Sequence, residues 1–338
     1  MNNLTTSVRA IAAVAIPLAA IISSPAAAHA ATFGGVRSAN PAFAQAHDDA
    51  KARKPILYVA DNANNQISVF HVNKMRSPQA FQVITNGILG PQGITTDKAG
   101  NLYVANFIGD TVTIYAPGAS TPKATLSNGI NAPTDVRVDA FGNLYVSNSP
   151  GFGAQSFIDE FPPGSSTPSA QWFTPAGNET ISGFALLNPS QKGETSIYAA
   201  AYTLNGSGFA SGTLLSCYPG NSTCVAFGST FGQTGGVAVA ESPGLSKPFD
   251  YLVIDQYLPG VDNFVVNGGL SETQLVTGGT PEFMALNATK TQLFVSDRFT
   301  GKVNEYAYPG GKVLNTFSPR GGDTQIYGVA VSPAGTYF

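Results

Sequence analysis

One phrase recurs through the chain. The run Leu57-Tyr-Val-Ala-Asp61 returns as Leu102-Tyr-Val-Ala-Asn106, Leu144-Tyr-Val-Ser-Asn148, Ile197-Tyr-Ala-Ala-Ala201, Leu252-Val-Ile-Asp255 and Leu293-Phe-Val-Ser-Asp297. Successive starts lie 45, 42, 53, 55 and 41 residues apart. Each copy is short and β-prone, and five of the six end on Asp or Asn, which favour turns, so the unit is not a helical repeat. Before each phrase, or after the last, comes another apolar strand: Gly93–Asp97, Asp135–Asp139, Gly183–Leu187, Gly236–Ala240, Phe283–Asn287 and Gly328–Ser332. A third follows it, as in Ile67–Phe70, Val112–Tyr115 and Val303–Tyr306, and in four units a Pro-Gly turn leads to a weaker fourth.

Four strands at this period describe a β-propeller blade. The reading is all-β: a six-bladed propeller over residues 55–338, with four strands per blade. Blade one lacks its innermost strand on the N-terminal side, while a surplus copy at Tyr327–Ser332 ends the repeat. That copy is expected to complete blade one and close the ring, hiding edges that would otherwise template aggregation. Composition agrees. Only 11% of residues are charged, against about 25% in an average domain, and 37 are Gly. Long amphipathic helices need charged wet faces. Net charge is −3, with no basic cluster beyond Lys51, Arg53 and Lys54, which argues against binding nucleic acid.

Residues 1–30 read as a signal peptide: Arg9, an apolar run from Ile11 to Ile22, then Ala28-His29-Ala30 before the cleavage point. Twelve apolar residues rise only about 18 Å as a helix, too short to span a core of ~30 Å. The protein is therefore expected to be exported, to the periplasm or the medium, with a flexible segment over 31–54 and no membrane anchor after cleavage. Cys217 and Cys224 flank a Pro-Gly turn between apolar runs, and outside the cytoplasm they are expected to form a disulfide across a hairpin.

The pattern Pro-x-Gly-Ile, a short strand, Gly-Asn-Leu-Tyr-Val-Ala-Asn, then a strand ending in an aromatic resembles NHL-repeat propellers, best over residues 91–148. The resemblance implies a six-bladed scaffold for ligand or protein binding, related to gluconolactonase/regucalcin-like hydrolases and to amidating and streptogramin lyases. The His residues those lyases use have no match, since the chain holds only His29, His47 and His71. Gluconolactonase-like enzymes hold a divalent ion with Glu, Asn and Asp at the axis; Glu282 fits the first, but no Asn and Asp stand in matching register.

In a propeller the loops entering inner strands and leaving second strands share one face. This places Gln92, Thr134, Asp135, Ser182, Glu282 and Tyr327 around a central mouth. Longer loops bring Phe152, Tyr202 and Phe209 to the same face. The recurring Asp61, Asn106, Asn148, Asp255 and Asp297 read as turn caps, because a feature repeated in nearly every blade is architectural. The sequence thus leads to a monomeric, non-catalytic binding module for a protein, glycan or small molecule. Its alternative is a lactonase-like hydrolase with a divalent metal at the axis, centred on Glu282 and Asp135.

Overall fold

The computed structural model describes residues 55–72, 78–151, 154–187, 195–204, 210–227, 234–240, 250–255, 260–266, 270–277, 279–308, 310–319 and 325–332. All fall in one compact unit, Pro41–Phe338. The expected signal peptide and flexible segment, and Phe152 and Phe209, lie outside the described residues.

The chain is an all-β propeller of four-stranded antiparallel blades. The described strands form six such sheets. The first takes Ile326–Ser332 from the C-terminal end and sets it beside Ile56–Asp61, followed by Gln66–His71 and Gln82–Ile84. Its register pairs Leu57 with Val331 and Tyr58 with Ala330. The other five sheets each run outward from an inner strand: Pro91–Thr96, Pro133–Val138, Thr180–Leu187, Thr234–Ala240 and Pro281–Leu286. Each inner strand packs on the next, and Ile326–Ser332 packs on both Pro91–Thr96 and Pro281–Leu286.

The recurring phrase is apolar throughout because both faces of its strand are covered. Leu57 and Val59 join Phe70, Phe294, Phe317 and Val329 in a core between the first and last sheets. Phe70 meets Phe317 edge-on with ring centroids 5.5 Å apart. Tyr58 and Ala60, pointing the other way, join Ile94, Leu102, Val104 and Tyr115 between the first two sheets. Side chains of a strand alternate between faces, so a strand sandwiched by two blades has no wet face. Each large buried side chain of this kind stabilises the fold by roughly 1.5–3 kcal/mol.

Glycine recurs on the inner strands where backbones nearly touch. A Cβ on Gly328 would lie 2.2 Å from the Gln92 carbonyl oxygen and 2.9 Å from the Ile94 nitrogen. One on Gly93 would lie 2.2 Å from Asp135 Oδ1. The axis is thus too narrow for side chains at this position in most blades.

Cys217 and Cys224 are bonded, closing the hairpin turn of the fourth sheet. Trp172, on the outer strand of the third sheet, packs on that disulfide and donates its indole N–H to the Tyr218 carbonyl at 3.0 Å. The clip therefore also holds two neighbouring sheets at their rim.

Candidate functional site

All six inner strands carry a register shift near their start, between Pro91 and Ile94, Pro133 and Asp135, Ile181 and Gly183, Thr234 and Val237, Pro281 and Met284, and opposite Val59 and Asp61 for the strand beginning at Ile326. A β-bulge re-aims a side chain. Here the first residue inside each bulge falls at the mouth: Gln92, Thr134, Ser182, Gly235, Glu282 and Tyr327. All except Gly235 line a cavity of about 270 Å³. Tyr202, from the loop side of the fourth sheet, lines it as well. The structure thus brings together five of the six expected mouth residues and one of the three expected loop residues.

Asp135 sits one position further along its strand, where four of the other five blades carry Gly, and does not line the cavity. It is fully buried and accepts hydrogen bonds from the Val136 and Phe184 amides at 2.9 and 3.1 Å. Arg137 Nη1 lies 2.7 Å from its Oδ1. Burial raises its pKa to about 6, against the opposing pull of Arg137. It works as a buried tie between the inner strands of the third and fourth sheets.

The two sides of the mouth differ in what their polar atoms do. The Thr134 hydroxyl donates to the Ile181 carbonyl at 2.8 Å, and that of Ser182 to the Ala200 and Gly235 carbonyls at 3.0 Å. Ser149 accepts from the Ile181 amide and approaches Ser156. These hydroxyls stitch one inner strand to the next. On the other side Arg298 Nη1 lies 2.9 Å from Glu282 Oε1, with the guanidinium carbon 5.6 Å from the centre of the Tyr327 ring. Cations over aromatic faces within about 6 Å are attracted by the ring quadrupole. Burial, then the nearby Glu282, raises the Tyr202 pKa; burial also raises that of Tyr327, with Arg298 opposing. Both phenols stay protonated at neutral pH, able to donate as well as accept.

Among the lining residues that the sequence-based site residues do not include, Phe107, Ser149 and Arg298 share one position. Each directly follows a strand-ending residue of the recurring phrase, Asn106, Asn148 or Asp297. Asp297 and Asp61 cap their own turns: Asp297 Oδ1 accepts from the Phe299 and Thr300 amides, and Asp61 Oδ1 from the Asn64 amide. Asn106 and Asn148 instead tie down the loop that enters the inner strand, their Oδ1 atoms accepting from the Leu89 and Asn131 amides. With the strand end held in either way, the next residue faces the mouth. That offset was the available signal. The side chain of Asp255 lies outside the described residues. His71, remote from the mouth on an exposed strand end, stacks on Phe81 at 4.0 Å.

The described donor set does not fit a hard divalent cation such as calcium or magnesium. Such ions take six or more oxygen ligands, with carboxylates prominent among them. Among the described residues Glu282 is the one carboxylate lining the cavity, and it is engaged by a guanidinium. Among the described residues no group of three His, Cys, Asp or Glu is placed to hold a metal.

No protein-family model matches the chain, and no curated protein does. Solved structures do. One chain of a nidogen/laminin complex is similar at 13% identity and a TM-score of 0.59, over 82% of this chain and 98% of that one. A putative 6-phosphogluconolactonase from Bacteroides fragilis matches at 13% and 0.54 over 82% and 98%. A protein of unknown function from Bacteroides caccae matches at 11% and 0.55 over 82% and 99%. At these identities the likeness establishes the propeller fold and nothing about chemistry.

Proposed function

We propose that this chain is an exported, monomeric six-bladed NHL-like propeller, its ring closed by Ile326–Ser332 beside Ile56–Asp61, that binds a ligand in its mouth without catalysis. The supporting observation is the convergence of Gln92, Tyr202, Glu282, Arg298 and Tyr327 on one cavity, where inner-strand starts and second-strand ends hold a charge pair and two protonated phenols. Pre-formed clefts with a few convergent polar groups are the usual form of small-molecule sites. For export, the disulfide fits an oxidising compartment, and no helix among the described residues is long and apolar enough to cross a membrane. Solved neighbours named for a protein complex and for a lactonase leave both kinds of role open to the fold. The donor set around Glu282 favours binding over metal-assisted hydrolysis.

The test is a thermal-shift screen of neutral, acidic, basic and zwitterionic small molecules on the purified protein, with a lactone-hydrolysis assay alongside. Stabilising compounds should lose their effect in Arg298→Ala and keep it in Phe299→Ser, on the exposed rim. Hits indifferent to Arg298→Ala would move the site elsewhere. Turnover abolished by Glu282→Ala, with stoichiometric divalent metal, would replace binding by hydrolysis.

A further inference from the structure

We propose that the mouth takes an uncharged polyol ring, one monosaccharide unit, gripped on its Glu282–Arg298–Tyr327 side; the inference rests on the binding reading above. Three observations carry it. The first is charge. Glu282 and Arg298 neutralise one another at 2.9 Å, and the Glu282 side chain is only 10% exposed. An anionic ligand would meet the Glu282 carboxylate and a cationic one the guanidinium, while a zwitterion would have to part a pair already made. Breaking a partly buried pair leaves a charge uncompensated, which is costly.

The second is the pattern of donors and acceptors. Carboxylates accept only and guanidinium groups donate only, whereas phenols and amides do both. A sugar hydroxyl both donates and accepts. Adjacent hydroxyls can therefore donate to Glu282 and accept from a free Arg298 N–H together, with the phenols of Tyr202 and Tyr327 and the amide of Gln92 completing the ring's edge. The hydroxyls of Thr134, Ser149 and Ser182 are taken up by backbone and neighbouring side chains, so recognition falls to one side of the cavity. The third is size and surface. A cavity of about 270 Å³ gives room for at least one ring. Phe107, Phe283 and the two tyrosines supply aromatic surface for the C–H face of such a ring.

Ligand-observed NMR titration decides it, with methyl glucopyranoside, methyl galactopyranoside and methyl mannopyranoside as neutral probes. Glucuronate, glucosamine and glycine betaine serve as the anionic, cationic and zwitterionic probes. At least one neutral glycoside should bind, with the charged sugars and betaine roughly tenfold weaker or worse. Glu282→Gln and Tyr202→Phe should each weaken that glycoside by roughly tenfold, the scale of one lost hydrogen bond to a charged or buried partner. Ser182→Ala should lower the melting temperature and leave affinity unchanged, which separates recognition from loss of structure. Tighter binding of a charged probe in an Arg298-dependent manner would overturn the ligand class and leave the binding reading standing. Binding of none of the six overturns the ligand class as well; the wider screen then decides separately whether the mouth binds anything.

Discussion

Thr134 and Ser182 occupy the same place in their blades as Glu282 and Tyr327 do in theirs, the first residue inside the bulge of an inner strand. The first pair turns its hydroxyls back onto neighbouring carbonyls, and the second reaches into the cavity. Side-chain length separates the two uses. A hydroxyl one bond beyond Cβ meets only the adjacent strand, so it cross-links blades; a carboxylate or phenol several bonds out passes that strand and meets whatever enters the mouth. One backbone device thus builds a structural half and, on the proposed reading, a recognition half.

The change that would undo both halves is Gly328→Val. Its side chain would collide with the Gln92 carbonyl and push Ile326–Ser332 off the neighbouring inner strand. A loss of about 4 kcal/mol or more is expected. Denaturant unfolding checks this, and near-wild-type stability would mean the C-terminal strand does not close the ring.

Next is Asp135→Asn, on the structural half. Burial outweighs the Arg137 pair for the charged carboxylate, so at neutral pH the neutral Asn should cost only about 1 kcal/mol, the scale of a weakened hydrogen bond. The effect depends on pH with a defined sign. Because the folded-state pKa is raised from 3.8 to about 6, the native state holds more protons than the unfolded chain between those values. Wild-type stability from this group therefore falls as pH rises from about 4 to about 6, by roughly 3 kcal/mol. The gap between wild type and Asp135→Asn should accordingly widen as pH is lowered across that window. Unfolding curves at stepped pH measure it; a gap that narrows on acidification contradicts the assignment.

Thr134→Val and Ser182→Ala sharpen the contrast from the same half. Each removes an inter-blade hydrogen bond, costing about 1 kcal/mol with ligand affinity unchanged. From the recognition half, Tyr202→Phe should change stability by no more than about 1 kcal/mol, the scale of its one hydrogen bond with Thr180. Its effect belongs in affinity, read by titration on the same sample.

Much of this division was legible beforehand. The period of the recurring phrase identifies the strands, and aligning the inner strands brings Gln92, Thr134, Ser182, Glu282 and Tyr327 to one mouth. Asp135 was placed there too, because a one-residue bulge decides whether it or its predecessor faces the axis, and pattern alone does not reveal the bulge. Arg298 was missed for a related reason. Its chemistry depends on a turn held by Asp297, and a turn cap identifies a bend without saying where the next side chain goes. The disulfide was readable from two cysteines across a Pro-Gly turn, whereas its packing against Trp172 of the adjacent blade needed the ring itself.

The most direct test of the two-sided mouth is a crystal structure of the protein saturated with the tightest-binding methyl pyranoside. The account predicts one sugar ring in the cavity, its hydroxyls on Glu282 and Arg298 and on a tyrosine phenol, with Thr134 and Ser182 still bonded to their neighbouring strands. A ring seated on the Thr134–Ser149 side, or held outside the mouth, would contradict it.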